Sequence, residues 1–269
     1  MLSHIGEHEY VRVAELQGLF GVSEVTIRTD LATMARRGLI TRVHGGAMPT
    51  RRLVSERSFE ETAAHNPREK AAIGRAAAAL VQEGETIAID VGTTTAALAR
   101  AMVHRSALQQ VTVFTSGLRI AAELEPAVPR LTVMVTGGTL RPMQHSLVDP
   151  MASGVFDQLH PHIVFLGASG IDAERGVTNV NVPEAELKRL MIRAARRVVL
   201  LADGSKLGHL DVAGVCGIRD LDLLITGRSA APEQVEALRG AGLEVLVAPD
   251  TETHSDRREL PAEAVSGSN

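Results

Sequence analysis

The chain has 269 residues, 45% of them hydrophobic, a formal net charge of −4 and a single cysteine. That length suits a small module joined to a body of about 200 residues. A lone cysteine excludes an intrachain disulfide framework. No apolar run reaches membrane-spanning length and no basic-then-apolar leader opens the chain, so a cytoplasmic protein with no membrane partner is predicted.

The first informative stretch runs from Gly21 to Leu31. Ser23 suits a helix N-cap and Gly21 a tight turn between two helices. Ile27, Leu31 and Met34 fall at i, i+4 and i+7, which leaves Thr26, Thr29 and Thr33, with Arg28 and Arg36, on the opposite face. Short hydroxyls let a helix approach base edges, and guanidiniums reach phosphate or guanine. Residues 39–43 then alternate apolar and polar, Gly45-Gly46 suit a hairpin turn, and Arg42 and His44 stand where a wing would meet the DNA backbone. Between Ser23 and Arg52 there are six Arg and two acids, a local +4 on an acidic chain. This is the electrostatic footprint of a DNA-reading head.

Residues 1–48 are therefore assigned to a winged helix-turn-helix and 49–65, which lack periodicity, to a linker. Asn66-Pro67-Arg68-Glu69 opens a helix: Asn as N-cap, Pro in the first turn and Glu three residues after the cap. From there apolar strands alternate with helical stretches to residue 248. Strands are predicted at Thr86–Val91, Val111–Thr115, Leu131–Thr136, Ile163–Gly167, Val198–Ala202, Leu223–Thr226 and Glu244–Val247. Helices fall between them, clearest at Thr95–Val103, Leu118–Glu125, Glu184–Ala195 and Pro232–Arg239. The fold class is α/β: a mostly parallel sheet with helices on both faces. Five Phe, one Tyr and no Trp leave its core to Ala, Val, Leu and Ile. The polar stretch 249–269 reads as a disordered tail.

In such a sheet ligands bind where strand ends turn into helices. Asp90-Val91-Gly92-Thr93-Thr94-Thr95 offers glycine for close approach, free helix N–H groups and three hydroxyls, without the pattern of a nucleotide P-loop or a dinucleotide fingerprint. Thr115-Ser116-Gly117, Gly137-Gly138-Thr139-Leu140-Arg141, Gly167-Ala168-Ser169-Gly170 and Asp203-Gly204-Ser205-Lys206 also follow apolar strands. Together they supply donors for a phosphate and an acceptor for sugar hydroxyls. No metal or cofactor is predicted: neither His4 with His8 nor His160-Pro161-His162 has further ligands at metal spacing.

Val22 to Leu31, Arg37-Gly38-Leu39 and Arg42-Val43-His44-Gly45-Gly46-Ala47 resemble the signature of the DeoR family of bacterial transcriptional regulators. The resemblance extends in order through Asp90 to Thr94, Gly137 to Arg141, Ser169 to Asp172, Glu184 to Lys188 and Asp203 to Lys206, as far as about Val247. It departs at Thr29, where the family usually has a second Arg, and at Asp149, where the family tends to have Gly. Residues 1–5 resemble only the end of the family's first helix, so a start upstream of Met1 or a clipped first helix is expected.

The resemblance implies a sensor body similar to ribose-5-phosphate isomerase that binds a sugar phosphate, and a repressor of carbohydrate-metabolism genes. Operator duplex would meet Ser23, Glu24, Thr26, Ile27, Arg28, Thr29, Arg42, His44 and Gly45. Asp90, Gly92, Thr93, Thr94, Thr95, Gly137, Gly138, Ser169 and Asp203 would line the effector site, with Arg141, Lys188 and Lys206 as cations. A homo-oligomer, dimer or tetramer, is expected because one short head makes few contacts.

The alternative is a sugar-phosphate isomerase-like enzyme with an accessory DNA-binding head. The isomerases that this body resembles have an acid directly after the Gly-Ala ending a central strand. Here Ser169 follows Gly167-Ala168. With Glu184 and Glu186 as the remaining candidate bases, no catalytic residue is assigned.

Overall fold

The computed structural model describes residues 1, 4–5, 10–36, 40–43, 45–49, 56–148 and 151–249. It divides into two compact units, Met1–Glu56 and Arg57–Asn269.

In the first unit, strand β1 (Val11–Arg12) leads into helices α1 (Val13–Phe20) and α2 (Glu24–Arg36), then strands β2 (Ile40–Val43) and β3 (Gly46–Pro49). Gly21 closes α1 in the left-handed conformation with φ 64°, its N–H bonded to Gln17 O. The strands form an antiparallel sheet in the order β1-β3-β2. Ile5, Val11, Val13, Leu16, Ile27, Leu31, Ile40 and Ala47 make one small core. Burying an aliphatic side chain of that size contributes about 1.5–3 kcal/mol, enough to hold so short a module together. The unit is a winged helix-turn-helix. Its first strand, two residues long, has no periodicity to read and exists only through pairing with β3.

The second unit carries α3 (Phe59–Ala64), α4 (Pro67–Ala79), β4 (Thr86–Ile89), α5 (Thr93–His104), β5 (Val111–Thr115), α6 (Leu118–Leu124), β6 (Leu131–Val135), β7 (Thr139–Arg141), β8 (Ser146–Val148) and α7 (Met151–Phe156). It continues with β9 (Ile163–Gly167), β10 (Gly170–Asp172), β11 (Gly176–Asn179), α8 (Val182–Ala194), β12 (Arg197–Leu201), β13 (Ala213–Cys216), β14 (Leu223–Thr226), α9 (Pro232–Gly240) and β15 (Val245–Val247). Seven strands form one parallel sheet in the order β15-β14-β12-β9-β4-β5-β6. Each corresponds to a segment predicted from its apolar run.

Ile87, Ile89, Val111, Val113, Phe165 and Val199 pack on one face against α3 to α6. Ala88, Val164, Leu166, Val198, Leu200 and Leu224 pack on the other against α7 to α9 and the small sheet β10-β11-β13. Strand order runs from β4 outward through β5 and β6 on one side, and through β9, β12, β14 and β15 on the other. The reversal between β4 and β9 is where an open α/β sheet leaves a crevice at its carboxyl edge.

Three local expectations are corrected. The segment 49–65 is not wholly a linker: α3 lies inside it, capped by Ser58 and Glu61 in a reciprocal box and anchored by buried Phe59. Asn66 is not a side-chain N-cap. It sits at φ 51°, and its amide donates to Asp203 Oδ1 at 3.3 Å instead. Gly46 is a strand residue paired with Val43, not part of the turn. A Cβ there would lie 2.3 Å from Val11 O, so β1 can approach only a glycine. Residues 250–269 and Asp149 lie outside the described residues.

Candidate functional site

The head presents one face of α2. Ser23 Oγ accepts Thr26 N–H at 3.3 Å and pairs with Thr26 Oγ1 at 2.9 Å, the local cap that starts the helix. Thr26, Arg28 and Thr29 are exposed, as predicted for a recognition face. The Thr29 hydroxyl donates to Val25 O at 2.9 Å, and Arg28 Nε donates to Glu24 Oε1 at 2.7 Å. Glu24 therefore steers a half-exposed guanidinium along the helix. Ile27 does not belong to this face: it is 0% exposed, in the head's core. Its assignment to DNA contact is corrected, because the same period that exposes Thr26 and Thr29 turns it inward. Arg42 on β2 and Gly45 in the turn are exposed, whereas His44 lies outside the described residues.

In the body the strand-end loops share one edge because their strands are parallel. Gly92, at φ 132° and ψ 169°, turns the chain from β4 into α5 in a conformation reserved for glycine. The first loop–helix bond runs from Ala96 N–H to Gly92 O at 3.0 Å, so the amides of Thr93, Thr94 and Thr95 stand free among the described residues. The Thr93 and Thr94 hydroxyls have no partner among the described residues either, although both side chains are largely buried. Thr95 differs. It is 0% exposed and its hydroxyl donates to Gly92 O at 2.9 Å, which makes it a cap that shapes the loop rather than a ligand contact.

Behind this loop lies a buried polar floor. Asp90 accepts Gly167 N–H at 2.9 Å and an ion pair from Lys188 Nζ, which also donates to Gly167 O at 3.0 Å. Burial pushes the Asp90 carboxyl above the usual carboxylate range, against the pull of Lys188 and the Gly167 amide. Arg141 donates to Glu184, whose carboxylate also accepts Ser146 Oγ at 2.8 Å and Asn179 Nδ2 at 3.3 Å. Two of the three expected cations are thus neutralised by acids of the same floor. They are not free charges awaiting a phosphate. Ser169 lies on the rim of this network, donating to Asn179 Oδ1 at 3.3 Å and accepting Val180 N–H at 3.1 Å. Gly138 is packed against Val148 O in the β7–β8 hairpin. Gly137 precedes it in a left-handed bend, with φ 77°.

Asp203 is committed as well. It accepts from Ser205 Oγ at 2.5 Å and Asn66 Nδ2 at 3.3 Å, with Lys70 Nζ at 3.5 Å. Burial would raise its carboxyl, but the Ser205 hydrogen bond and the Lys70 and Lys206 charges carry it below the usual range. Its expected role as an open acceptor for sugar hydroxyls is therefore not supported by its partners. The Lys206 ammonium has no hydrogen-bond or ion-pair partner among the described residues, although its backbone N–H donates to Asp203 O at 2.9 Å.

Ser146, Asn179, Lys70 and the structural use of Glu184 were missed from sequence. Only Lys70 had a local signal: it precedes Ile73 by three residues and Ala77 by seven, on the apolar face of α4.

Residues 1–51 match the description "DeoR-like helix-turn-helix domain", and residues 65–228 match "DeoR C terminal sensor domain". The chain belongs to the DeoR family.

Its relatives include the HTH-type transcriptional regulator GolR of Listeria innocua, 32% identical over 91% of this chain and 94% of that protein. GlpR of Haloferax volcanii, another HTH-type transcriptional regulator, is 35% identical over 87% and 90%. The HTH-type transcriptional repressor CsqR of Escherichia coli is 30% identical over 92% and 93%. The DeoR-family chain is thus a DNA-binding transcriptional regulator with a sensor body, not an isomerase. Ribose 5-phosphate isomerase from Plasmodium falciparum superposes with a TM-score of 0.38 at 14% identity, covering 51% of each chain, too slight a likeness to bear on the site. Among the described residues, no helix is long and apolar enough to cross a membrane.

Proposed function

We propose that this DeoR-family protein is a cytoplasmic repressor of carbohydrate-metabolism genes, and that a phosphorylated sugar bound in the body (66–248) sets the affinity of the head (1–48) for operator DNA. The observation that carries the reading is the start of α5. Three consecutive unpartnered amides and the hydroxyls of Thr93 and Thr94 converge at the sheet's switch point, where the helix dipole favours an anion. With Arg141 and Lys188 neutralised, the charge for a phosphate comes from this helix end and from Lys206. The sugar's hydroxyls meet Ser169 on the rim and, beneath it, Glu184 and Asn179 of the polar floor. Two or four heads, one from each subunit of a homo-oligomer, would read repeated operator half-sites through Thr26, Arg28, Thr29 and Arg42.

Thermal-shift titration of sugar phosphates against their parent sugars tests the sensor. A folded-state ligand raises the melting temperature. Phosphate esters should do so while parent sugars do not, and Thr94→Ala should remove the shift while leaving operator affinity without effector intact. Coupling of about 1–3 kcal/mol suffices to change operator affinity about 5- to 150-fold. Equal shifts from esters and parent sugars, or none from either, would overturn the reading.

A further inference from the structure

Both walls of the candidate effector crevice grip the segment Arg57–Asn66, through which the chain enters the body. From this juxtaposition we propose that this strap carries effector occupancy toward the head. The inference rests on the effector reading above, but its test does not.

The first grip comes from the turn between β7 and β8. Gln144 Nε2 donates to Arg57 O at 2.5 Å, and His145 Nε2 donates to Glu60 Oε1 at 2.8 Å. The His145 ring stands edge-on to Phe59, centroids 5.8 Å apart, and the Arg119 guanidinium lies 5.9 Å from the same Phe59 ring. The flanks of that turn are Arg141 and Ser146, and both are bonded to the one carboxylate of Glu184. Both donate to Oε1, so a sugar hydroxyl that takes up that oxygen displaces one of them. The turn strung between them then shifts, and Gln144 and His145 shift with it.

The second grip comes from the opposite wall. Lys70 Nζ donates to Thr62 O and His65 O, each at 2.6 Å, and faces Asp203 at 3.5 Å. Asn66 ties the end of the strap to the same carboxylate. Asp203 opens the loop that carries Lys206, which has no ion-pair partner among the described residues, so a bound anion pulls on the strap from this side too. The hydrogen bonds of Gln144 and His145 to Arg57 and Glu60 lie at the surface and can be remade at little cost.

Hydrogen exchange on the full chain tests the relay without any ligand. Glu184→Gln weakens the hold on Arg141 and Ser146, and should speed exchange about tenfold in amides 59–64 as well as in 139–148. In a Gln144→Ala/His145→Ala background, 59–64 should exchange fast whether or not Glu184 is replaced. His145→Gln alone, which keeps a donor, should restore the wild-type response. Fast exchange in 139–148 with 59–64 at the wild-type rate overturns the proposal, as does a Glu184→Gln variant that moves neither segment. Should that variant fail to fold, Ser146→Ala takes its place with the same expected pattern. Failure of every sugar phosphate to raise the melting temperature counts against the effector reading alone, whereas an unmoved strap counts against the relay whatever binds.

Discussion

Lys188→Met separates a structural lysine from a ligand-binding one. Wild-type Asp90 is 2% exposed, and its carboxylate is held by Lys188 and the Gly167 amide. Removing the ammonium leaves a buried carboxylate with one neutral donor and strips Gly167 O of its 3.0 Å partner. Breaking a buried pair in this way costs about 3–5 kcal/mol, a large share of the stability of an ordinary domain. Asp90→Asn combined with Lys188→Met removes both charges and keeps an acceptor for the Gly167 amide. It should recover about 2 kcal/mol or more of that loss. The single variant's deficit should also shrink in acid. Burial already raises the Asp90 carboxyl, and without Lys188 it rises further. An acid with a raised folded-state pKa binds its proton more readily folded than unfolded, so stability is regained as pH falls through that value. Urea melts followed by circular dichroism measure this, since the chain has no Trp for fluorescence. A Lys188→Met loss below about 1 kcal/mol, the range of an exposed pair, would refute the reasoning and return Lys188 to the effector.

Arg28→Ala should weaken specific operator binding about tenfold to a hundredfold in gel-shift titration. Losing its exposed pair with Glu24 should cost the helix only about 0.3–0.5 kcal/mol, and unchanged operator binding would count against the recognition face. Arg42→Ala should weaken all sequences alike and lower the salt slope by about 0.9, as loss of one phosphate contact does. Gly46→Ala places a Cβ 2.3 Å from Val11 O, so DNA binding should fail while the body's melting transition stays in place. Asp203→Asn tests acid lability. The carboxyl's lowered pKa stabilises the fold above the ordinary carboxylate range, and that contribution is lost as pH falls through the folded-state value. The variant should lack this part of the wild type's acid dependence in melts from neutral to acid pH.

The seven central strands and the exposed face of α2 were legible in the amino-acid order alone. A buried parallel strand must be largely apolar, and an amphipathic helix must repeat its apolar residues at 3.6, so both leave a local trace. Runs like Ile163–Gly167 are absent from β1, β7, β8, β10, β11 and β13, which exist through their antiparallel pairing partners. The family motifs also brought Asp90, Arg141 and Lys188 to notice, but not what each one does. That Lys188, 98 residues along the chain from Asp90, neutralises it, and that Glu184 does the same for Arg141, emerges only once the chain is folded. Folding likewise turns Asn66 from a cap into a partner of Asp203, 137 residues away. A residue's type says what bonds it can make. Whether a charge stays free for a ligand depends on which opposite charge the fold buries beside it, and that pairing is set by strand order and helix placement, which no local pattern records.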